Sequence, residues 1–269
     1  MPLSLSLHRF AVAPAAAAAL ALVVGGCGGS STSTSAPATP TRTAPLESVF
    51  EAGPQLLTNP AATLDTLREL GVDYVKVFVP WGAIAPDPTS KTSPAGFNAA
   101  DPAAYPAANW TPYDAIVRDA LTRGIGVDIT LGEPPPLWAA GAGAPAGIHP
   151  QWEPSAADFG AFVHAVGVRY SGHYTPPGAS APLGRVSFWS IWNEPNYGPD
   201  LAPQATDHTL VEVSPRLYRG LLDAAWSALH ATGHGHDTVL IGELAPRGQT
   251  RGNHPGNFDG MVPLRFVRA

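Results

Sequence analysis

A short polar stretch follows an apolar run in the second half of the chain, and its residue types are suited to acid–base chemistry. Residues 188–196 read FWSIWNEPN, so Asn193 and Glu194 come directly after two tryptophans and Pro195 ends the run. Burial beside aromatic rings disfavours the ionised form of a carboxyl group, so a glutamate there can protonate a leaving oxygen. The adjacent asparagine offers a donor and an acceptor to a substrate hydroxyl. The stretch therefore predicts a general acid with a neighbour that orients the substrate.

The segments around this motif alternate between strand and helix patterns. Strand patterns occur at 48–53, 72–81, the first half of 125–138, 186–196 and 238–246. Helical patterns with start and stop signals occur at about 60–70, 111–124, 155–170, 214–229 and 263–269. Repeated strand–helix units predict a parallel sheet, either doubly wound or closed into a (β/α)8 barrel.

The ends of the strand patterns favour the barrel. A dinucleotide-binding sheet needs a glycine-rich turn directly after a strand, and none of the five patterns has one. They end in acids, prolines and tryptophans, and a barrel builds its active site from residues at the carboxyl ends of several strands. We therefore predict an α/β fold of the (β/α)8 TIM-barrel type with only about the first five βα units. A sheet of that size has two unpaired edges, which predicts an incomplete chain.

The motif WNEPN, at the end of the fourth predicted strand, carries a family resemblance. On this basis the domain 46–269 resembles the clan of retaining TIM-barrel glycoside hydrolases, in particular cellulase-like (family 5) and xylosidase-like (family 39) members. The resemblance implies a hydrolase that cleaves a β-linked poly- or oligosaccharide without metal or cofactor, with Glu194 as general acid/base and Asn193 on the 2-hydroxyl. It also implies aromatic platforms for the sugar, for which the candidates are Trp81, Trp138, Trp192 and Tyr197. For Trp81 and Trp138, core packing is an equally weighted alternative.

A retaining glycosidase also needs a carboxylate nucleophile, which the resembled clan carries after the seventh strand. No residue of this sequence matches it. Glu51, Glu133 and Glu243 lie at the predicted ends of the first, third and fifth strands and are interpreted as substrate-binding or hydrogen-bonding residues. Two alternatives therefore stay open, a carbohydrate-binding lipoprotein without catalysis and an inactive fragment.

The amino-terminal region differs in kind from the predicted domain. An apolar run at 10–24 follows His8 and Arg9 and leads into VGGC, so residues 1–27 resemble a bacterial lipoprotein signal with Cys27 as the lipidated residue. A plain secretory signal and a short membrane anchor are the alternatives. Residues 28–45 are rich in Gly, Ser, Thr and Pro and predict a flexible linker. We expect an exported protein that meets the membrane only through a lipid.

Two other classes of partner are disfavoured by the sequence. The 269 residues carry a formal net charge of −6, and no Lys/Arg cluster is present to follow phosphates, so a nucleic-acid partner is not expected. Three histidines, His230, His234 and His236, lie close together between a helix and a strand. That side of a barrel is opposite to the catalytic face, so we predict a solvated turn there and no metal site.

Overall fold

The computed structural model of the chain describes residues 46–145, 150–206, 209–256 and 259–269. The predicted signal segment 1–27 with Cys27 and the predicted linker 28–45 lie outside the described residues. Within the described ranges, no helix combines the length and the apolar character needed to cross a bilayer.

The strands of the described residues form one parallel sheet, in which each strand neighbours the next one along the chain. They are β1 Val49–Glu51, β2 Tyr74–Pro80, β3 Gly126–Gly132, β4 Phe188–Ile191 and β5 Thr238–Ile241. A doubly wound sheet reverses its strand order at a switch point, whereas a (β/α)8 barrel keeps chain order. The predicted fold class, an α/β fold with the first five units of a (β/α)8 barrel, is confirmed.

Helices follow every strand. They are α1 Pro54–Thr58, α2 Pro60–Glu69, α3 Trp81–Ile84, α4 Ala107–Thr122, α5 Ala156–Arg169, α6 Ser214–Ala231 and α7 Pro263–Arg268. Side chains of β2 alternate as a half-buried strand requires, because Val75, Val77 and Val79 are buried in the core while Lys76 and Phe78 are partly exposed on the other face.

The second face of the sheet is concave and polar. Lys76 of β2 is the register partner of Asp128 in β3, and the Ser190 hydroxyl of β4 lies 3.1 Å from both oxygens of that carboxylate. The Lys76 ammonium also reaches the Glu243 carboxylate, just after β5, at 2.9 Å. In a flat sheet three strand spacings, roughly 14 Å, would separate β2 from β5. The sheet must therefore curve as it does in a barrel, with these side chains inside.

Several predicted boundaries differ from the structure, and the fifth strand, for example, ends at Ile241 instead of residue 246. The helix expected from Thr111 begins at Ala107, with Pro112 inside it. The buried Trp110 explains the difference, because its indole N–H donates to the Pro102 carbonyl at 3.2 Å and the Arg169 guanidinium lies 4.6 Å from its ring. This packing fixes the preceding turn as helix, although Pro112, the sixth residue of α4, has no N–H to donate to the carbonyl of residue 108.

The fourth strand is shorter than the predicted 186–196. It ends at Ile191, so the WNEP residues form the turn that follows β4. The start of α5 is as predicted, since the Ser155 hydroxyl accepts from the Asp158 backbone N–H at 3.2 Å.

The solvated turn predicted for the three histidines is wrong for His234. This side chain is 1% exposed, with Nδ1 2.6 Å from the Asp237 carboxylate and Nε2 3.0 Å from the Gly167 carbonyl. Asp237 also accepts from the Trp189 indole at 3.1 Å and from Arg185 at 2.6 Å. The histidine therefore joins the loop before β5 to α5 through a buried hydrogen-bond network.

Candidate functional site

The turn after β4 has an unusual backbone. Trp192 and Glu194 have φ angles of 63° and 40°, and Glu243, after β5, has a φ of 31°. Non-glycine residues in this left-handed region are strained, and such residues cluster at functional sites. The two turns are joined, because the Glu194 backbone N–H donates to the Glu243 carbonyl at 3.2 Å. The fold thus holds Asn193 and Glu194 in a constrained position at the carboxyl end of the sheet.

Two buried amide side chains hold the turn after β4 in place by hydrogen bonds. Asn196, which is fully buried, donates to the carbonyls of Ala245 and Met261 at 2.9 and 2.6 Å, and its oxygen accepts from the Ala245 backbone at 2.8 Å. The buried Gln204 donates to the Pro195 carbonyl at 3.0 Å. Neither residue was predicted as part of the site. The only signal in the sequence is the second asparagine of WNEPN, whose long-range partners cannot be read from it.

Carboxyl groups surround Asn193 on two sides. Its backbone N–H donates to Glu133 Oε2 at 3.4 Å, and its side-chain amide donates to Asp200 Oδ2 at 3.4 Å. Burial raises the pKa of Glu133 to about 8, and the nearby charge of Asp200 contributes to the rise. Burial likewise raises the pKa of Asp200 to about 6, with a contribution from the charge of Glu194. At neutral pH the site therefore holds a neutral Glu133 and an ionised Asp200.

A second polar cluster lies on the concave face. The Lys76 ammonium is 2.9 Å from Glu243 and 3.8 Å from Glu51, so one cation links the ends of β5 and β1. Burial raises the pKa of Asp128 to about 6, although the hydrogen bond from Ser190 opposes this rise. The predicted residues Glu133 and Glu243 thus belong to two adjoining clusters on the same face of the sheet.

A cleft of about 430 Å³ opens between these clusters, which is within the size range of small-ligand sites. Its polar lining comes from Glu51, Lys76, Glu133 and Asn193, and Phe78 and Tyr113 contribute apolar surface. Glu194 is partly exposed at the next position of the turn. Such a lining offers hydrogen-bond donors and acceptors together with apolar faces, a combination that suits a polyhydroxylated ligand.

The platform prediction is wrong for two of the four aromatic residues. Trp81 is 0% exposed and stacks on Phe162 of α5, with ring centres 5.8 Å apart and planes at 14°. Trp192 is also fully buried, edge-on to Phe159 at 5.3 Å. Because a ligand cannot stack on a ring without accessible surface, both rings act in core packing.

The other two candidate platforms, Trp138 and Tyr197, are partly exposed. The Trp138 indole N–H donates to the Pro86 carbonyl at 3.1 Å, which fixes the ring beside the loop after β2. The Arg247 guanidinium lies 4.6 Å from the Tyr197 ring. A role in sugar binding for these two residues stays a prediction.

The acids of the concave face are held by protein groups. Lys76 pairs with Glu51 and Glu243, and Ser190 bonds to Asp128. In the part of the chain that the structure covers, no three or more His, Cys, Asp or Glu side chains are grouped to hold a metal ion.

Comparisons with known proteins identify similar solved structures only. No protein-family model matches the chain, and no curated protein matches it. A family 1 β-glucosidase from Thermotoga maritima is similar with a TM-score of 0.43 at 14% identity, over 68% of this chain and 36% of that chain. Fpglu1 from Fervidobacterium pennivoraus is similar with a TM-score of 0.47 at 18% identity, over 69% of this chain and 40% of that chain. A glucosidase from Croceicoccus marinus is similar with a TM-score of 0.42 at 18% identity, over 72% of this chain and 35% of that chain.

The chain thus covers two-fifths or less of the length of each of these structures. The resemblance to families 5 and 39, which the sequence motif suggested, stays a prediction.

Proposed function

We propose that this chain carries the acid/base part of a glycoside hydrolase site that cleaves β-linked sugars with retention. Glu194 is the general acid/base, and Asn193 binds the hydroxyl next to the reacting carbon. The observation that carries the proposal is the strained turn after β4, which places Asn193 on a cleft lined by Glu133 and Lys76 and leaves Glu194 partly exposed at the next position. The sequence motif WNEPN and its position after the fourth strand support the same assignment.

The proposed reaction proceeds in two steps. Glu194 first protonates the glycosidic oxygen while a carboxylate attacks the sugar carbon and forms a glycosyl-enzyme. It then removes a proton from the water that hydrolyses this intermediate. The attacking carboxylate is not assigned to a residue of this chain.

The hydrogen bonds of Asn193 fit its proposed task. Its amide N–H donates to Asp200, so the amide oxygen remains available to accept from a sugar hydroxyl. Glu133, neutral below a pKa of about 8, can donate a hydrogen bond to a second sugar oxygen. These contacts place polar groups around one sugar ring, which we take as the minimal substrate unit.

The test compares Glu194→Gln with the unchanged protein, in a form that also supplies the attacking carboxylate, on aryl β-glycosides of graded leaving-group ability. A general acid contributes about 100- to 10,000-fold in rate, so we expect losses in this range for poor leaving groups and much smaller losses for good ones. Glu69→Gln, on the exposed surface of α2, controls for the removal of one negative charge. Equal losses for good and poor leaving groups contradict the acid role of Glu194.

A carbohydrate-binding protein without catalysis is the second candidate. The observation that favours it is the cleft itself, because its hydrogen-bonding groups bind a sugar without any nucleophile. Calorimetric titration with β-linked oligosaccharides separates the two candidates. In a form of the protein that also supplies the attacking carboxylate, binding without release of reducing sugar, and with equal affinity in Glu194→Gln, supports the binding protein and contradicts the enzyme.

We propose in addition that the protein is exported and anchored by a lipid on Cys27. The support is the order of a weakly basic start, an apolar run and VGGC in residues 1–27. In a bacterial host fed a radioactive fatty acid, the chain should carry label and Cys27→Ala should not. An exported but unlabelled chain would favour a plain secretory signal.

A further inference from the structure

We propose that Asp200 is a positioning residue of this site, which orients the Asn193 amide and links Glu133 to Glu194 by charge. Its effect on turnover rests on the proposed glycosidase function. Its effect on the geometry and charge of the site does not. Asp200 lies in a turn six positions after Glu194, and no spacing in the sequence singles it out.

Asp200 is bonded to both residues that precede Glu194. Its carbonyl accepts from the Trp192 indole N–H at 3.1 Å, and its carboxylate accepts from the Asn193 amide at 3.4 Å. Its own backbone N–H donates to the Tyr197 carbonyl at 3.1 Å. Because Trp192 has a strained φ of 63°, external contacts are needed to hold this turn. Asp200 supplies one contact from its main chain and one from its side chain.

Asn193 brings the Asp200 and Glu133 carboxyl groups close together, because its side-chain amide donates to Asp200 and its backbone N–H donates to Glu133, each at 3.4 Å. The charge of Asp200 contributes to the raised pKa of Glu133, after β3, and the charge of Glu194, after β4, contributes to the raised pKa of Asp200. Asp200 therefore lies electrostatically between them. Since its pKa is about 6, it is ionised at neutral pH, and a carboxylate is a stronger acceptor for the Asn193 amide than a neutral acid.

Two variants separate the geometric role from the charge role. Asp200→Asn keeps an oxygen that can accept from Asn193 but removes the charge. Asp200→Ala removes both. Asp223→Asn, on the exposed face of α6, is the matched control.

The first readout is nuclear magnetic resonance of the chain with labelled glutamate carboxyl carbons, with Glu133→Gln used to assign the Glu133 signal. Without the Asp200 charge, the titration midpoint of Glu133 should fall in both Asp200 variants and stay in place in Asp223→Asn. The Asn193 side-chain amide signal should move strongly in Asp200→Ala and recover in Asp200→Asn. The proposal is overturned if neither the titration midpoint of Glu133 nor the Asn193 amide signal moves in the two Asp200 variants. If Asp200→Ala does not fold, Asp200→Asn alone decides the charge role.

Kinetics form the second readout. Where an aryl β-glycoside is hydrolysed, Asp200→Ala should lower kcat/KM about tenfold or more, and Asp200→Asn should retain most of the binding while its pH profile shifts. An unchanged profile in Asp200→Asn would count against the charge link. Absence of hydrolysis by the unchanged protein, in a form that also supplies the attacking carboxylate, contradicts the glycosidase proposal, whereas the resonance experiment still decides the role of Asp200.

Discussion

Replacing Glu133 by Gln should stabilise the fold in alkaline and neutral solution and not in acid. Glutamine has the shape of the neutral acid, and its oxygen can still accept from the Asn193 backbone N–H. The folded protein holds Glu133 neutral up to a pKa of about 8, against an ordinary value of 4.5, because the side chain is only 8% exposed.

The sign of the effect follows from proton binding. Below pH 4.5 the carboxyl is protonated in both the folded and the unfolded chain, so its ionisation costs nothing. Between 4.5 and about 8 the unfolded chain loses the proton and the folded chain keeps it, so the free energy of unfolding falls as pH rises. Above about 8 the penalty is constant. Glutamine does not ionise, so the Glu133→Gln variant avoids this penalty.

The difference between 4.5 and about 8 sets an upper limit of about 5 kcal/mol. Water in the open cleft reduces this limit, and we expect Glu133→Gln to gain about 2 to 4 kcal/mol at pH values above 8. Urea unfolding followed by circular dichroism at several pH values measures the gain, with Glu69→Gln as the exposed control. If Glu133→Gln and the unchanged chain differ in their free energy of unfolding by the same amount in acid and in alkaline solution, the assignment of a buried neutral Glu133 is refuted.

Three further predictions concern the stability of the fold. Asp114→Ala should destabilise the fold by about 3 to 5 kcal/mol in urea unfolding, because it leaves the buried Arg169, bonded at 2.8 and 2.6 Å, without its partner; an unchanged unfolding midpoint would contradict this. Burial raises the pKa of Asp237, but hydrogen bonds, led by the one from His234, outweigh burial and hold this pKa below its ordinary value of 3.8. The Asp237 carboxylate therefore stabilises the fold at pH values above 3.8, and this stabilisation is lost as the pH falls through the lower pKa of the folded chain. Asp237→Asn should therefore be less stable at neutral pH and approach the unchanged chain in acid, and a gap of constant size would contradict this. Lys76→Met should lower the thermal midpoint because it removes the cation from Glu243, and an unchanged midpoint would show that the polar cluster adds no stability.

The sheet and its order could be predicted because they depend on local patterns. Short apolar runs separated by helical patterns specify parallel units, and the capping residue Ser155 lies where its helix begins. The position of Asn193 and Glu194 at the carboxyl end of the fourth strand followed from the same count.

The depth of burial and the long-range contacts could not be predicted in the same way. Trp81 and Trp192 are indistinguishable from sugar platforms in the sequence, and only the rings of α5 show that they are enclosed. Asp200 and His234 obtain their roles from partners that lie in other elements or in a strained turn. Such contacts depend on how the loops close over the sheet, which no local pattern encodes.

The central claim is that Glu194 is the acid/base of a retaining site, and chemical rescue tests it most directly. In a form of the protein that also supplies the attacking carboxylate, Glu194→Ala should still form the glycosyl-enzyme from a dinitrophenyl β-glycoside, because that leaving group needs no protonation. Added azide should then restore turnover and give the β-glycosyl azide, since the small anion attacks where no carboxylate repels it. Absence of rescue, or an azide product of inverted configuration, would contradict the claim.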